Sequence, residues 1–95
     1  MRVEWLSLAL ADLNAEAEYI ARENPSAAER MVDNIFGATG RLASFPAMGR
    51  PGRVPGTREL VVSNTPYIVP YRVRGQSVEV IRVLHGARKW PKKLP

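Results

Sequence analysis

The fold the sequence predicts is a two-layer α+β domain: a helical hairpin packed on an antiparallel sheet, in the order strand, helix, helix, strand, strand, strand. Three observations predict it. Apolar residues recur at three- and four-residue spacing between residues 7 and 45, a proline- and glycine-rich stretch ends that regime over residues 45–56, and three short alternating segments follow, separated by turn residues. Helices that precede a meander of strands in the chain bury their stripes against one face of the sheet, which is the α+β arrangement.

Taken in order, Arg2-Val3-Glu4-Trp5-Leu6 alternates polar and apolar groups and reads as a short strand. Ser7 can cap the helix that follows, over about residues 7–23. Its apolar stripe is Leu10, Leu13, Ala17 and Ile20, with Asp12, Glu16, Glu18, Arg22 and Glu23 on the remaining surface. Asn24-Pro25-Ser26 ends this helix and begins the next. Either Asn24 caps with Pro25 in the first turn, or Ser26 caps with Glu29 three residues on, and both give a tight turn between antiparallel helices. Ala28, Val32, Ile35, Thr39 and Leu42 mark the second stripe, with Met31 and Phe36 beside it. Gly37 and Gly40 each cost about 1 kcal/mol in a helix interior relative to alanine, and a close approach of the helix to its neighbours would account for them.

Residues 45–56 hold three prolines and three glycines and form a loop. Strands are predicted at Arg58–Ser63, Tyr67–Arg74 and Val78–Leu84, joined by Asn64-Thr65-Pro66 and Gly75-Gln76-Ser77. On the middle strand Tyr67, Val69, Tyr71 and Val73 point one way, suited to a helix-covered core, and Ile68, Pro70, Arg72 and Arg74 point the other. The alternation of the last strand brings Arg82 toward Arg72 and Arg74. Pro70 has no N–H to give the ladder, so a bulge or an unpaired edge is expected near it.

Ninety-five residues with 45% hydrophobic content enclose one core, so residues 1–95 are read as a single domain with residues 85–95 as a basic C-terminal tail. There is no cysteine, which excludes disulfides and thiolate metal sites and makes a reducing cytoplasm the expected location. One histidine argues against a metal centre, and no cofactor is expected. No apolar run approaches the roughly 20 residues of a membrane span, and Met1-Arg2-Val3-Glu4-Trp5 lacks the pattern of a signal peptide.

The net charge of +5 conceals an asymmetry. Residues 1–45 carry four arginines against seven acids, a net −3, whereas residues 46–95 carry ten cations against Glu59 and Glu79 alone, a net +8. A basic half of this kind meets an anionic partner, phosphate or acidic protein, and the candidate binding residues are Arg50, Arg53, Arg58, Arg72, Arg74, Arg82, Arg88 and Trp90. Each has a plainer reading too: solvated arginines, a tryptophan packed back on the sheet, and Lys89, Lys92 and Lys93 as a mobile basic end.

Several short patterns occur together in order: Asp12-Leu13 and Tyr19-Ile20 in the first helix, Pro25 with Ala28 opening the second, Leu42 followed by Pro46 and Gly49. Arg58-Glu59-Leu60, Tyr67-Ile68-Val69-Pro70-Tyr71-Arg72-Val73 and Ile81-Arg82-Val83-Leu84-His85 then follow. This combination, spanning nearly the whole chain, resembles the RelE/ParE superfamily of toxins from type II toxin–antitoxin systems, and the ParE-like branch more than the RelE-like one. The resemblance implies growth inhibition, and roles such as plasmid stabilisation. It also implies neutralisation by a cognate antitoxin, ParD- or RelB-like, expected to be acidic and partly disordered so that it folds onto the basic body.

Two targets follow from the resemblance: DNA gyrase, poisoned by ParE-like members, or messenger RNA in the ribosome, cut by RelE-like members. A metal-free nuclease must activate the ribose 2′-hydroxyl and stabilise charge on the phosphate. The lysine pair of the RelE-type arrangement falls here on Glu59 and Val61 and its strand arginine on Ile68; only its C-terminal arginine has a counterpart, Arg88, and Trp90 stands near its tyrosine. This favours the gyrase poison, which is not an enzyme of hydrolysis. An alternative nuclease set would be His85 as general acid or base with Arg72, Arg82 and Arg88 at the phosphate. A reading of another class is a non-toxic, basic nucleic-acid-binding module, against which Tyr67 and Tyr71 count because they share the core face rather than an exposed stacking face.

Overall fold

A computed structural model describes residues 1–95. Strand β1 (Arg2–Trp5) leads into helix α1 (Ser7–Ala21), and helix α2 (Pro25–Gly40) runs back and tightens into a 3-10 turn, Arg41–Ala43. Strands β2 (Arg50–Pro51), β3 (Arg58–Val61), β4 (Tyr67–Arg74), β5 (Ser77–Val80) and β6 (Leu84–His85) complete the chain. The sheet order is β1-β5-β4-β3-β2, and β6 pairs with the start of β4. The meander is antiparallel as expected, but the sheet as a whole is mixed. β1 lies parallel to β5, Val3 beside Val78 and Trp5 beside Val80, a pairing that needs the long intervening chain as its crossover.

Asn24 caps α2: its side chain accepts from the Ala27 N–H at 3.1 Å, Pro25 takes the first turn, and the Ser26 hydroxyl donates to Asn24 instead of capping. Helix α1 starts without a side-chain cap, with Leu6 at the N-cap position and Ser7 already helical. Its buried residues are Ala9 and Leu13, with Ala17 and Ile20 packed beside them, whereas Leu10 is exposed. The stripe therefore begins one residue earlier than predicted. Gly37 and Gly40 do not serve close packing, because a Cβ at either would meet nothing within 4 Å.

The core joins Met31, Ile35, Ala38 and Leu42 of the helical layer to Leu60, Val69, Tyr71, Val78 and Val80 of the sheet. Tyr71 is fully buried and its hydroxyl is satisfied: it donates to the Pro46 carbonyl at 2.7 Å and accepts from the Gly49 N–H at 2.8 Å. Gly49 is required there, since a Cβ would sit 2.7 Å from the Tyr71 ring. The loop after the helices is thus tied to the centre of the sheet.

The predicted last strand is divided. Tyr71 faces Val80 and Ile68 faces Leu84, so two residues of β4, Val69 and Pro70, stand opposite three, Ile81 to Val83. This is a bulge at the proline, with the Ile81 N–H still donating to the Pro70 carbonyl at 2.9 Å. By Leu84, which faces Ile68, the side-chain parity set by Val78 and Val80 has reversed. No helix is long and apolar enough to cross a membrane.

Candidate functional site

The face of the sheet away from the helices carries Arg72 and Arg74 from β4, Glu59 from β3 and Glu79 from β5, because these positions alternate with the core residues. Each acid gathers two arginines. Glu79 accepts from Arg72 Nε at 2.8 Å and lies 3.8 Å from Arg74 Nε. Glu59 is only 3% exposed, accepts from Arg50 Nε and Nη2 at 3.3 and 3.0 Å and from the Arg53 N–H at 2.9 Å, and lies 3.5 Å from Arg53 Nε. This buried carboxylate holds the loop against the sheet and leaves both arginines half-exposed. The tail closes over the same face: Arg53 stacks 3.6 Å above the Trp90 ring, Trp90 Nε1 donates to the His85 carbonyl at 3.2 Å, and Arg72 Nη1 donates to the Pro95 oxygen at 2.5 Å.

Arg58 is directed elsewhere. It stands beside Tyr71 and donates to the Gly49 and Ala47 carbonyls at 2.8 and 3.3 Å, bracing the loop.

Arg82 does not join Arg72. It has the parity of Val78 and Val80, whose side chains enter the core, so it turns to the helix side. There it forks onto Asp12 of α1, with Nε to Oδ2 at 2.6 Å and Nη2 to Oδ1 at 2.9 Å, while the Val83 N–H donates to the same carboxylate at 3.0 Å. The bond to Asp12 raises the Arg82 pKa, so this cation stays charged. Arg88 also turns to α1 and pairs with Glu16 at 2.7 Å. His85 packs edge-on against Tyr67 with ring centroids 5.9 Å apart, and its Nδ1 accepts from the Ala87 N–H at 3.2 Å. Burial, with Glu16 nearby, pushes the Tyr67 phenol up and keeps it protonated.

Apart from Arg58, the predicted residues therefore form two groups rather than one surface. Arg50, Arg53, Arg72, Arg74 and Trp90 share the outer sheet face. Arg82, His85 and Arg88 lie toward α1, so the nuclease set that included Arg72 is not assembled at one point. Sequence reasoning missed Glu59 and Asp12 as the acids that organise these groups. The available signal for Glu59 was its place as one of only two acids in a basic half.

The family model for the ParE toxin of type II toxin–antitoxin system, parDE, matches residues 3–90. Y4kP of Sinorhizobium fredii, which carries a toxin name, is 44% identical over 93 residues, 98% of this chain and 96% of that protein. Toxin RelE2 of Caulobacter vibrioides is 40% identical over 87 residues, 92% of this chain and 97% of its own length. Among solved structures, the chromosomal ParDE TA system from P. aeruginosa superposes with a TM-score of 0.80 at 30% identity, covering 87% of this chain and 92% of that one. The chain belongs to the ParE toxin family. It is a toxin of a ParDE/RelE-type toxin–antitoxin system, and the family implies an antitoxin as its partner.

Proposed function

We propose that this toxin arrests growth by poisoning DNA gyrase in the cytoplasm and is silenced by an acidic, partly disordered antitoxin. The observation that carries the choice of target is the chemistry at three outer-face positions. Where a RelE-type nuclease places two lysines and an arginine, this chain has Glu59, buried and engaged with Arg50 and Arg53, and the cross-strand pair Val61 and Ile68. A buried, doubly paired carboxylate cannot stabilise a phosphate, and two aliphatic groups can move no proton. The half-exposed Arg50, Arg53 and Arg74 remain available to an acidic segment, which supports the antitoxin reading.

Purified toxin added to gyrase with supercoiled DNA, and separately to translating ribosomes, tests this. Trapped gyrase–DNA cleavage complexes with intact messenger RNA are expected. Cleaved messenger RNA with unaffected gyrase overturns the reading. Growth arrest by the toxin alone, relieved by co-expression of the neighbouring gene, tests neutralisation.

A further inference from the structure

On the helix side of the sheet, between the adjoining ends of α1 and α2, the β3–β4 turn and the turn after β6, lies a cleft of about 380 Å³. Arg30 of α2, His85 and Arg88 line it, and none of its twelve lining residues is acidic. The nearest acid is Glu16, which pairs with Arg88 at 2.7 Å and lies beside Tyr67 without lining the cleft. Arg88 gives Nη1 to Glu16 and keeps the rest of its guanidinium free, with 59% of the side chain exposed. Arg30 is exposed and bonds only the Ser26 hydroxyl, at 3.2 Å. His85 Nδ1 is already an acceptor for Ala87, which leaves Nε2 as its donor.

The remainder of the lining suits a flat polar ring. Tyr19 stands at the cleft with 66% of its surface exposed, which core packing does not explain. Asn34 and Asn64 present amides that make no hydrogen bond within the fold, and Ile20, Met31 and Pro66 add apolar lining. The volume lies at the small end of the roughly 300–1,000 Å³ usual for small-molecule sites. That is room for one base with its sugar and phosphate, not for an extended segment. An acidic peptide would engage the guanidiniums but leave both amides and the tyrosine face idle, whereas a nucleobase offers edges to the amides and a π-face to the ring.

We propose that this cleft binds a nucleoside monophosphate group, with the phosphate held by Arg30, Arg88 and His85 and the base stacked on Tyr19 with its edges on Asn34 and Asn64. The source is either a free nucleotide or the 5′-phosphorylated end of single-stranded DNA. The site lies on the opposite side of the sheet from Glu59, Val61 and Ile68 and is independent of the gyrase reading.

The test is a titration of the full chain, followed by NMR, with dAMP and dGMP, and with phosphorylated and unphosphorylated DNA hexamers. Saturable shifts at Asn34, Asn64 and His85 are expected. Arg30→Gln should weaken binding about tenfold, equivalent to about 1.4 kcal/mol; Arg88→Gln should do the same, and Arg22→Gln, outside the cleft, should not. Arg30 contributes only one exposed bond to the fold, so that variant carries the test even if Arg88→Gln is destabilised. Mononucleotides binding as tightly as the phosphorylated hexamer identify the free nucleotide, and tighter binding of that hexamer identifies the strand end. The proposal is overturned by an unshifted cleft, by binding indifferent to the phosphate, or by tighter binding of an acidic, tyrosine-containing peptide.

Discussion

Replacing Asp12 with alanine removes three interactions together: both arms of the Arg82 fork and the Val83 N–H bond. Arg82 is left with about a fifth of its side chain exposed and no counter-charge. A hydrogen bond to a charged group contributes about 1.5–3 kcal/mol, and removing one member of a fully buried pair costs about 3–5 kcal/mol. Since water reaches both side chains here, the expected loss is about 2–3 kcal/mol. In a domain of this size each kcal/mol lowers the midpoint by about 4–8 °C, so Tm should fall by roughly 10–20 °C. Urea and thermal unfolding followed by circular dichroism measure it. In a double-mutant cycle with Arg82→Ala, the coupling should reach about 1.5 kcal/mol or more. A loss below about 0.5 kcal/mol, or strictly additive effects, would refute the assignment of Arg82 as the staple between α1 and the bulge. The same cycle bears on function: if Arg82 acts through the fold, toxicity of Arg82→Ala returns when growth is assayed at lower temperature.

Glu59→Gln keeps the side-chain shape but removes the charge shared by Arg50 and Arg53; a cost of about 2 kcal/mol is expected, together with faster trypsin cleavage after Arg53 as the loop loosens. Unchanged cleavage would show that Glu59 does not hold the loop. Gly49→Ala places a Cβ against the Tyr71 ring and hydroxyl, and the overpacking should cost about 1–3 kcal/mol by urea denaturation. Tyr67 should ionise above the ordinary tyrosine value of 10.0 in an ultraviolet titration. Above that pH the unfolded chain loses this proton while the folded chain retains it, so the Tyr67 contribution lowers stability as pH rises from the unfolded toward the folded pKa. Tyr67→Phe should remove that part of the alkaline decline, and an identical decline in the variant would contradict it.

The parts of the fold written in neighbouring residues were legible. The strand, two helices and meander follow from a change of apolar period, and the α2 cap from Asn24-Pro25. The core face of β4 follows from the alternation of Tyr67, Val69 and Tyr71, and the bulge from the missing N–H of Pro70. The start of the α1 stripe was misplaced by one residue because Ala9 and Leu10 fit a helical period equally well in a short window, and only packing selects between them.

The amino-acid sequence by itself determined the layer architecture, the concentration of positive charge in the second half, and the family. Where that charge faces was decided by tertiary structure. Period-two alternation predicts the side of a strand only while the register is unbroken: it puts Arg82 with Val78 and Val80 on the helix side, but the extra residue opposite Val69 and Pro70 reverses the parity beyond it, so that His85 and not Leu84 faces Tyr67. The acids that claim the arginines lie at distances no local pattern encodes: Asp12 meets Arg82 seventy residues away and Glu16 meets Arg88 after seventy-two. The parallel pairing of β1 with β5 is also a long-range choice. Local spacing constrains which way a side chain leaves the backbone, but which charge stands opposite it depends on how distant segments pack.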